Sequence, residues 1–325
     1  MRLETPLDSQ VFVEDWTATY GSPYMVTEGD ESGPTGRLVE DGTNLLIHDG
    51  IPEPPSQTLA FVDGVRRGEA SLYQRHPTTH QIARGVAGAH ACGCVLTNPG
   101  SRPEFGEQRI SRLVVWGSGL SADLPDVAGG WRWKSVSVAD GAPDAPLKDI
   151  QARMRQEEGR LAEDLAKAGH LVIVDGPLTY VRSRDIPVVG YVKTHYRTLL
   201  EPEDHARIPE LGPGQRSSLF ALGDDRYSCY VRLTQPTPWS GPWAGIVRLE
   251  IPQSSGLEAA IDLANRVAGA IPRFAGVPHV DPRAPQNLQP VGALETRLKH
   301  QLGDLGLAQR AVRESVRLAT MGVSA

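Results

Sequence analysis

The chain has 325 residues, of which 40% are hydrophobic and 22% charged, a balance typical of soluble globular proteins that build a sizeable core. No apolar run approaches the roughly 20 residues needed to cross a bilayer, and the N-terminus lacks the basic patch and apolar core of a secretory signal. Three cysteines are too few for a disulfide framework. We therefore expect a cytoplasmic protein without membrane spans.

The charge is unevenly distributed along the chain. The net charge is −6, but residues 1–54 carry eleven acidic and two basic side chains, which leaves +3 on the remainder. A slightly basic body is compatible with a nucleic-acid substrate. It does not identify one, because basic side chains must be clustered to attract a phosphate backbone.

Residues 1–56 are predicted to form an acidic arm, because turn and linker sequences interrupt short apolar pieces. Two of these pieces, Val11 to Val13 and Leu45 to Ile47, could add an edge strand or pack on a partner. The main domain is predicted to span residues 57–290. A C-terminal helical segment is predicted at 291–325.

The first half of the main domain is predicted to be a sheet with short connections, which favours an antiparallel meander. The predicted strands lie at 58–62, 66–75, 90–97 and 110–116. His90, Cys92 and Cys94 lie in this region. No second Cys or His pair follows at zinc spacing, so we interpret these three as strand residues rather than as a structural zinc site.

The second half alternates between helices and strands. Helices are predicted at 146–168 and from 257, strands at 171–174, 188–193, 227–233 and 244–251, and mixed structure at 202–222. Gly169 is expected to stop the first helix, and Ser255-Gly-Leu-Glu258 has the sequence of a capping box that begins the second. The apolar run Leu171 to Val174 is typical of a parallel strand buried on both faces. The pattern predicts an α/β fold with a mixed central sheet flanked by helices.

Two predicted strands end in the same way, in Leu-Ala-Phe-Val-Asp63-Gly and Leu-Val-Ile-Val-Asp175-Gly. An Asp just past an apolar strand lies at the rim of the sheet, and the following Gly permits a sharp turn and the close approach of a ligand. If the two strands are neighbours, the carboxylates repel each other unless a cation lies between them, and hard oxygen ligands suit Mg²⁺ or Mn²⁺. Either Asp alone could simply cap a turn, but the matched pair favours a metal site.

Helix phase adds a third candidate ligand. Met154, Glu158, Leu161 and Leu165 fall on one face of the first helix, so Glu158 lies on its apolar stripe. A carboxylate there is costly unless it is paired or ligates a metal. The alternative is that Glu158 lies at the margin of the stripe and reaches water.

Three basic residues are candidates for contacts with phosphate. Lys193 ends the predicted strand at 188–193, where it could bind a phosphate oxygen or offset charge in a transition state. Arg66 and Arg67 follow Asp63 and could track a phosphate backbone. The alternative for each is a solvated surface side chain.

The ordered set of motifs resembles the NurA nuclease family, bacterial type. The resemblance rests on strand-Asp63-Gly, a helical Glu158, Asp175-Gly-Pro-Leu and Val-Val-Gly-Tyr-Val-Lys193, and it covers residues 57–300. It implies an RNase H-like core, a homodimer, and metal-dependent cleavage of DNA by 5′→3′ exonuclease and single-strand endonuclease activities that favour Mn²⁺. It also implies work beside a HerA-type hexameric ATPase that translocates DNA, in double-strand end processing or in defence against phage.

One part of the sequence departs from the family pattern. In the archaeal pattern an Ala-His pair after a Pro-rich turn completes the site, whereas this sequence has Val-Gly at 291–292. His279 is a candidate substitute ligand. Arg283, Gln286 and Asn287, which lie among prolines, are candidates for a recognition loop that contacts DNA, and the alternative is a plain surface linker.

Two other functions remain open. Paired Asp-Gly strand ends also cradle phosphates in ATP-binding proteins of the sugar-kinase and actin group, where the domains are duplicated, but the segments after Asp63 and Asp175 do not repeat. A catalytically degenerate adaptor of a hexameric ATPase is the third interpretation. The acidic trio disfavours it, and the altered C-terminal motif leaves it open.

Overall fold

The structure is a computed structural model that describes residues 36–51, 57–75, 80–183, 185–195, 198–237, 240–277, 279–281 and 283–321. Most of the predicted acidic arm, including Val11 to Val13, lies outside the described residues. In chain order the strands are β1 Gly36–Leu38, β2 Ile47–Asp49, β3 Leu59–Arg75, β4 Ile82–Thr97, β5 Glu104–Trp116, β6 Lys134–Ser137, β7 Leu171–Asp175, β8 Val188–Val192, β9 Gln215–Ser217, β10 Phe220–Leu222, β11 Arg226–Arg232 and β12 Ile246–Pro252. The helices are α1 Ala145–Lys167, α2 Pro202–Arg207, α3 Leu257–Ala270, α4 Gln289–Gln301 and α5 Leu305–Thr320. No helix in the described ranges is long and apolar enough to cross a membrane.

The packing of Cα atoms divides the chain into two units. The first unit consists of the described residues before 56 together with 189–289, and the second of 56–188 and 290–325. The predicted arm at 1–56, nuclease domain at 57–290 and C-terminal segment at 291–325 stay predictions of domain organisation.

The second unit is a mixed sheet whose strands follow the order β7-β3-β4-β5-β6. β3 is parallel to β7, β4 is antiparallel to both of its neighbours, and β6 is parallel to β5. Apolar residues of α1 pack on one face, with Ala60, Val62, Cys92 and Cys94. Apolar residues of α4 form a separate cluster with Val65, Ala89 and Ala91. These three residues alternate with the first set along β3 and β4, so their side chains point to the opposite face of the sheet. The sheet of this unit therefore has a helix on each face.

β3 does not end at Asp63, as the sequence led us to expect. The strand continues to Arg75 because β4 pairs with its whole length, and Asp63 lies opposite Gly93 while Gly64 lies opposite Cys92. The predicted second strand at 66–75 is the continuation of β3. The prediction that Asp63 lies past the end of a strand is therefore wrong, and the strand that ends at this level is β7.

The first unit contains an antiparallel sheet in the order β1-β10-β11-β12-β8, with β2 and β9 joined to β11. The apolar piece Leu45 to Ile47, for which an edge strand was one alternative, shares only Ile47 with β2. The guanidinium of Arg216 in β9 is buried and donates from both terminal nitrogens to Glu40 at 2.7 Å. This ion pair fastens the segment that contains β1 and β2 to the rest of the unit.

Several local predictions differ from the structure. α1 and the positive φ of Gly169 match the prediction, but the capping box at Ser255-Gly-Leu-Glu258 does not form. Gly256, with φ of 79°, occupies the N-cap position of α3, and no side chain caps that helix. β6 was not predicted. The mixed stretch at 202–222 consists of α2, a 3-10 turn, β9 and β10.

Cys92 and Cys94 are core residues of β4. Both are buried in the apolar cluster under α1. Burial raises the pKa of the Cys92 thiol to about 12, and both cysteines are free thiols. The strand predicted at 90–97 is confirmed as part of β4.

Candidate metal centre

Asp63 and Asp175 lie side by side on adjacent parallel strands. Val62 of β3 pairs with Val174 of β7, so the next residue on each strand is an aspartate. Equivalent positions of two parallel strands point to the same face of a sheet, and for these two residues it is the face on which α4 packs. The condition on which the sequence-based metal site depends, that the two strands are neighbours, is therefore met.

The third carboxylate of the cluster belongs to Glu295 of α4. One oxygen from each of Asp63, Asp175 and Glu295 lies within 4.8 Å of the other two. Asp63 is 5% exposed and Glu295 9% exposed. Lys299 donates to Glu295 Oε2 at 3.1 Å. Three hard oxygen donors this close, two of them nearly removed from water, suit a divalent cation, because three anions without one repel each other.

The spacing of apolar residues around Glu295 predicts that this carboxylate lies on a buried helix face. Val291, Leu294, Glu295, Leu298 and Leu302 lie at the spacing of one helical face, and all five are buried. Glu295 is therefore a carboxylate on an apolar stripe, which is the same signal that selected Glu158.

His279 is the sequence-based candidate for the missing histidine. Its side chain is exposed. It is also not a member of the His and carboxylate groups that converge in the described part of the chain. The role of His279 as a ligand stays a prediction, whereas Glu295 belongs to such a group.

Glu158 lies on the face of the sheet that α1 covers. Its side chain is 1% exposed, which agrees with its predicted place on the buried face of α1. That face packs against the side of β3 that carries Val62 and Gly64, the side opposite to Asp63. A Cβ atom built on Gly64 would lie 2.6 Å from Glu158 Oε1. The glycine of Asp63-Gly64 therefore makes room for Glu158, and no turn occurs there.

Arg155 links Glu158 to the end of β7. Its Nη1 atom donates to Glu158 Oε2 at 2.9 Å and to the main-chain oxygen of Asp175 at 2.8 Å. Gly176 has φ of 113°, a conformation that L side chains rarely adopt. A Cβ there would also lie 3.2 Å from Arg155 Nη1. Gly176 is therefore needed both because the main chain turns here with positive φ and because the guanidinium of Arg155 lies close to its Cα.

Arg155 and Glu158 shift each other's pKa on the α1 face of the sheet. Burial raises the pKa of Glu158, and the nearby Asp175 raises it further, while Arg155 opposes both. The carboxylates of Glu158, Asp63 and Asp175 raise the pKa of Arg155 above its usual value, against the effect of burial. Oε1 of Glu158 is buried without a hydrogen-bond partner among the described residues. This oxygen lies on the α1 face of the sheet, on the side opposite to the carboxylate of Asp63.

Lys193 and its partners lie in the first unit. Lys193 follows β8 directly and is 5% exposed, and its Nζ atom donates to Asn287 Oδ1 at 2.6 Å. Asn287 in turn donates to Asp281, which also forms an ion pair with Arg283 at 3.0 Å. Lys193 is therefore a buried, positioned side chain rather than a solvated strand end.

The predicted recognition loop is largely an internal support. Gln286 and Asn287 are 2% and 1% exposed, and their contact with DNA stays a prediction. The main-chain oxygen of Gln286 accepts a hydrogen bond from Tyr191 at 2.6 Å. Arg283 is engaged with Asp281 through its main chain and its guanidinium. These polar residues hold the loop and Lys193 in place.

Arg66 and Arg67 also have structural partners. Nη1 and Nη2 of Arg67 donate to the main-chain oxygens of Gly303 and Leu302 at 2.6 and 2.8 Å, just after α4. Arg66 donates from Nε to Gln151 of α1. The guanidinium of Arg67 thus links the end of α4 to β3, and its contact with a phosphate backbone stays a prediction.

The two aspartates do not come from duplicated domains. Asp63 and Asp175 belong to one unit and to neighbouring strands of one sheet. Proteins of the sugar-kinase and actin group place such aspartates in separate, repeated domains. The structure therefore disfavours that interpretation.

The sheet, its helices and the carboxylate cluster define a mixed α/β protein with a candidate site for a divalent cation. A family profile described as the NurA domain matches residues 118–291. Because the match spans more than half of the 325 residues, the chain belongs to the NurA domain family. The matched range includes Glu158 and Asp175, whereas Asp63 and Glu295 lie outside it.

Among solved structures, the chain is similar to the crystal structure of the NurA nuclease from Sulfolobus solfataricus. The two share 11% sequence identity with a TM-score of 0.42, over 85% of this chain and 86% of that one. A comparison with curated proteins finds no match.

Proposed function

We propose that the protein is a metal-dependent DNA phosphodiesterase whose cation, Mn²⁺ or Mg²⁺, is held by Asp63, Asp175 and Glu295. The observation that carries this proposal is the convergence of three carboxylate oxygens within 4.8 Å of one another beside the end of β7. Membership of the NurA domain family supports a nuclease over other metal-dependent enzymes.

We also propose that the core is RNase H-like. Three antiparallel strands, β5, β4 and β3, are followed by the parallel strand β7, with α1 as the connection that precedes β7. This arrangement places one aspartate on the first strand of the antiparallel group and one at the end of the parallel strand. The order of strands supports the fold assignment, and the two aspartates support its use as a nuclease.

The residues around the cluster have distinct roles in this proposal. A bound cation would lower the pKa of a water molecule and offset negative charge on the phosphate. Asp63 and Asp175 hold their oxygens rigidly because paired strands fix their main chains. Glu295 presents its oxygen from a helix that Leu294 and Leu298 anchor in the core. A role of Lys193 in offsetting charge in the transition state stays a prediction from the sequence.

Family membership supports finer assignments, which we include in the proposal. These are the bacterial type, a homodimer in the cytoplasm, 5′→3′ exonuclease and single-strand endonuclease activities, and a HerA-type hexameric ATPase as partner in DNA end processing or phage defence. A charge of only +3 outside the first 54 residues is weak for independent DNA binding. We therefore propose that the translocase delivers DNA to the nuclease.

Cleavage of linear DNA by the purified protein tests this function. We expect degradation with Mn²⁺, none with EDTA, and a loss of about 10²-fold or more in Asp63→Asn. Glu157→Gln is the matched control, because Glu157 lies beside Glu158 on α1 but is partly exposed and pairs with Arg160. Full activity of Asp63→Asn, or cleavage in EDTA, contradicts the proposal. Absence of cleavage both with and without the ATPase favours the adaptor.

A further inference from the structure

Arg155 forms a buried ion pair with Glu158 on the α1 face of the sheet. Arg155 approaches the end of β7 from the side opposite to Asp63 and Glu295, and its side chain is 24% exposed. We propose that Arg155 is a positioning residue that holds Glu158 and the end of β7 in place and limits the site to one divalent cation per chain. This inference rests on the proposed metal site.

One nitrogen atom of Arg155 donates both to Glu158 and to the end of β7. Arg155 Nη1 lies 2.9 Å from Glu158 Oε2 and 2.8 Å from the main-chain oxygen of Asp175. A movement of the Glu158 carboxylate is thereby transmitted to the residue whose side chain joins the cluster. The guanidinium remains charged at every working pH, so this link persists without metal.

The glycines of the two Asp-Gly sequences, Gly64 and Gly176, leave room for the ion pair between Arg155 and Glu158. The guanidinium packs on Gly176, where a Cβ would lie 3.2 to 3.5 Å from three of its atoms. The Glu158 carboxylate fills the space that a Cβ on Gly64 would need. Both glycines therefore accommodate the Arg155–Glu158 pair, which makes the pair a built part of the sheet rather than a surface contact.

The position of Arg155 excludes a second cation. A second divalent ion that used Glu158 as a ligand would have to displace the guanidinium from Glu158 Oε2, and it would be repelled by the guanidinium charge if it did not. In the wild-type protein the ion bound by Asp63, Asp175 and Glu295 is therefore the only one at this site. Without Arg155, Glu158 becomes an uncompensated buried anion that attracts a second ion.

Two measurements on the full chain test this proposal: Tm without metal, and the number of Mn²⁺ ions bound in calorimetric titration. We expect one Mn²⁺ for the wild type. Arg155→Met is expected to lower the metal-free Tm by about 5–10 °C and to bind two Mn²⁺, because removing one partner of a buried pair leaves a buried charge. Arg155→Lys keeps the charge and is expected to bind one Mn²⁺ with a lower Tm.

Two further variants serve as controls. Arg153→Met, on the same helix, removes a partly exposed arginine paired with Asp149 and is expected to change neither measurement. The double variant Arg155→Met with Glu158→Gln removes the buried charge together with its partner. It is expected to return to one Mn²⁺ and to within about 3 °C of the wild-type Tm, and it provides the test if Arg155→Met alone does not fold.

The outcomes separate this inference from the proposed function. Two Mn²⁺ ions in the wild type, or an Arg155→Met variant that matches Arg153→Met in both measurements, overturns the role of Arg155. If the wild type binds no Mn²⁺, the proposed metal site and the limit of one ion both fail. The positioning role is then decided by the metal-free Tm of Arg155→Met and its recovery in the double variant.

Discussion

Gly64 and Glu158 share one space, because a Cβ on Gly64 would lie 2.6 Å from the Oε1 atom of Glu158. Other backbone and side-chain atoms close in as well, with Ala91 O at 3.1 Å and Met154 Cγ at 3.0 Å from the same point. Glu158 cannot easily withdraw, since Arg155 holds its other oxygen. The ion pair of Glu158 and Arg155 therefore requires that position 64 has no side chain.

Gly64→Ala should displace Glu158 and disturb the adjacent Asp63. We expect a loss of about 1–3 kcal/mol in the free energy of unfolding, as for other overpacked cores, and a fall in Mn²⁺-dependent cleavage. Gly68→Ala in the same strand is the control, because the nearest atoms to a Cβ there lie at 3.9 Å. Urea unfolding and cleavage assays measure both effects, and equal behaviour of the two variants contradicts the account.

Glu295→Gln should weaken metal binding, because it removes one of three anionic oxygens from the cluster. We expect an increase in the Kd for Mn²⁺ of about 10-fold or more, which corresponds to about 1.4 kcal/mol of lost binding. Lys299→Gln removes the exposed partner of Glu295 and is expected to leave Mn²⁺ binding nearly unchanged. Titration calorimetry distinguishes the two, and an unchanged Kd in Glu295→Gln removes that residue from the site.

The sequence indicated part of the site for sound physical reasons. Two apolar runs that each lead into Asp-Gly predicted that Asp63 and Asp175 lie together, and the phase of α1 predicted that Glu158 is buried. The same phase argument applied to α4 would have selected Glu295. The family pattern drew attention to Val-Gly at 291–292 instead, one turn before it.

Other features depend on partners that are distant in the chain. β3 continues past Asp63 only because β4 offers a paired residue at each step, which no local pattern around Asp63-Gly64 reveals. Gln286 and Asn287 have the composition of a surface loop. They are buried because Tyr191 and Lys193 supply donors inside the unit, and a local pattern predicts polarity but not where its partners lie.

Arg67→Ala should reduce stability rather than affinity for DNA. Arg67 donates to the oxygens of Leu302 and Gly303 and, at 2.9 Å, to the buried carboxylate of Glu69. Leaving that carboxylate without this donor is expected to cost about 2–4 kcal/mol of unfolding free energy. The salt dependence of DNA binding is expected to stay the same, whereas a decrease of about one unit in the slope of log K against log salt would establish Arg67 as a phosphate contact.

His195 should make the first unit sensitive to weak acid. Burial lowers the pKa of His195 to about 4, so between about pH 6.5 and 4 the unfolded chain binds this proton and the folded chain does not. The stability that this group contributes is therefore complete above about pH 6.5 and is lost as the pH falls toward 4.

Replacement of His195 by Phe isolates this contribution. Between pH 7 and 4 the wild type is expected to lose about 2 kcal/mol more unfolding free energy than His195→Phe, after allowance for the partial exposure of the ring. Phe preserves the ring packing against Trp243, whose centroid lies 5.3 Å away. His300→Gln, at an exposed position of α4, is the control. A wild-type profile that parallels that of His195→Phe contradicts the assigned pKa direction.

The central claim is that Asp63, Asp175 and Glu295 bind one divalent cation. An anomalous difference map from crystals soaked in Mn²⁺, recorded at the manganese absorption edge, locates the ion directly. The account predicts a single peak among the carboxylate oxygens of these three residues and none between Arg155 and Glu158. A peak elsewhere, or no peak at the three carboxylates at saturating Mn²⁺, would contradict it.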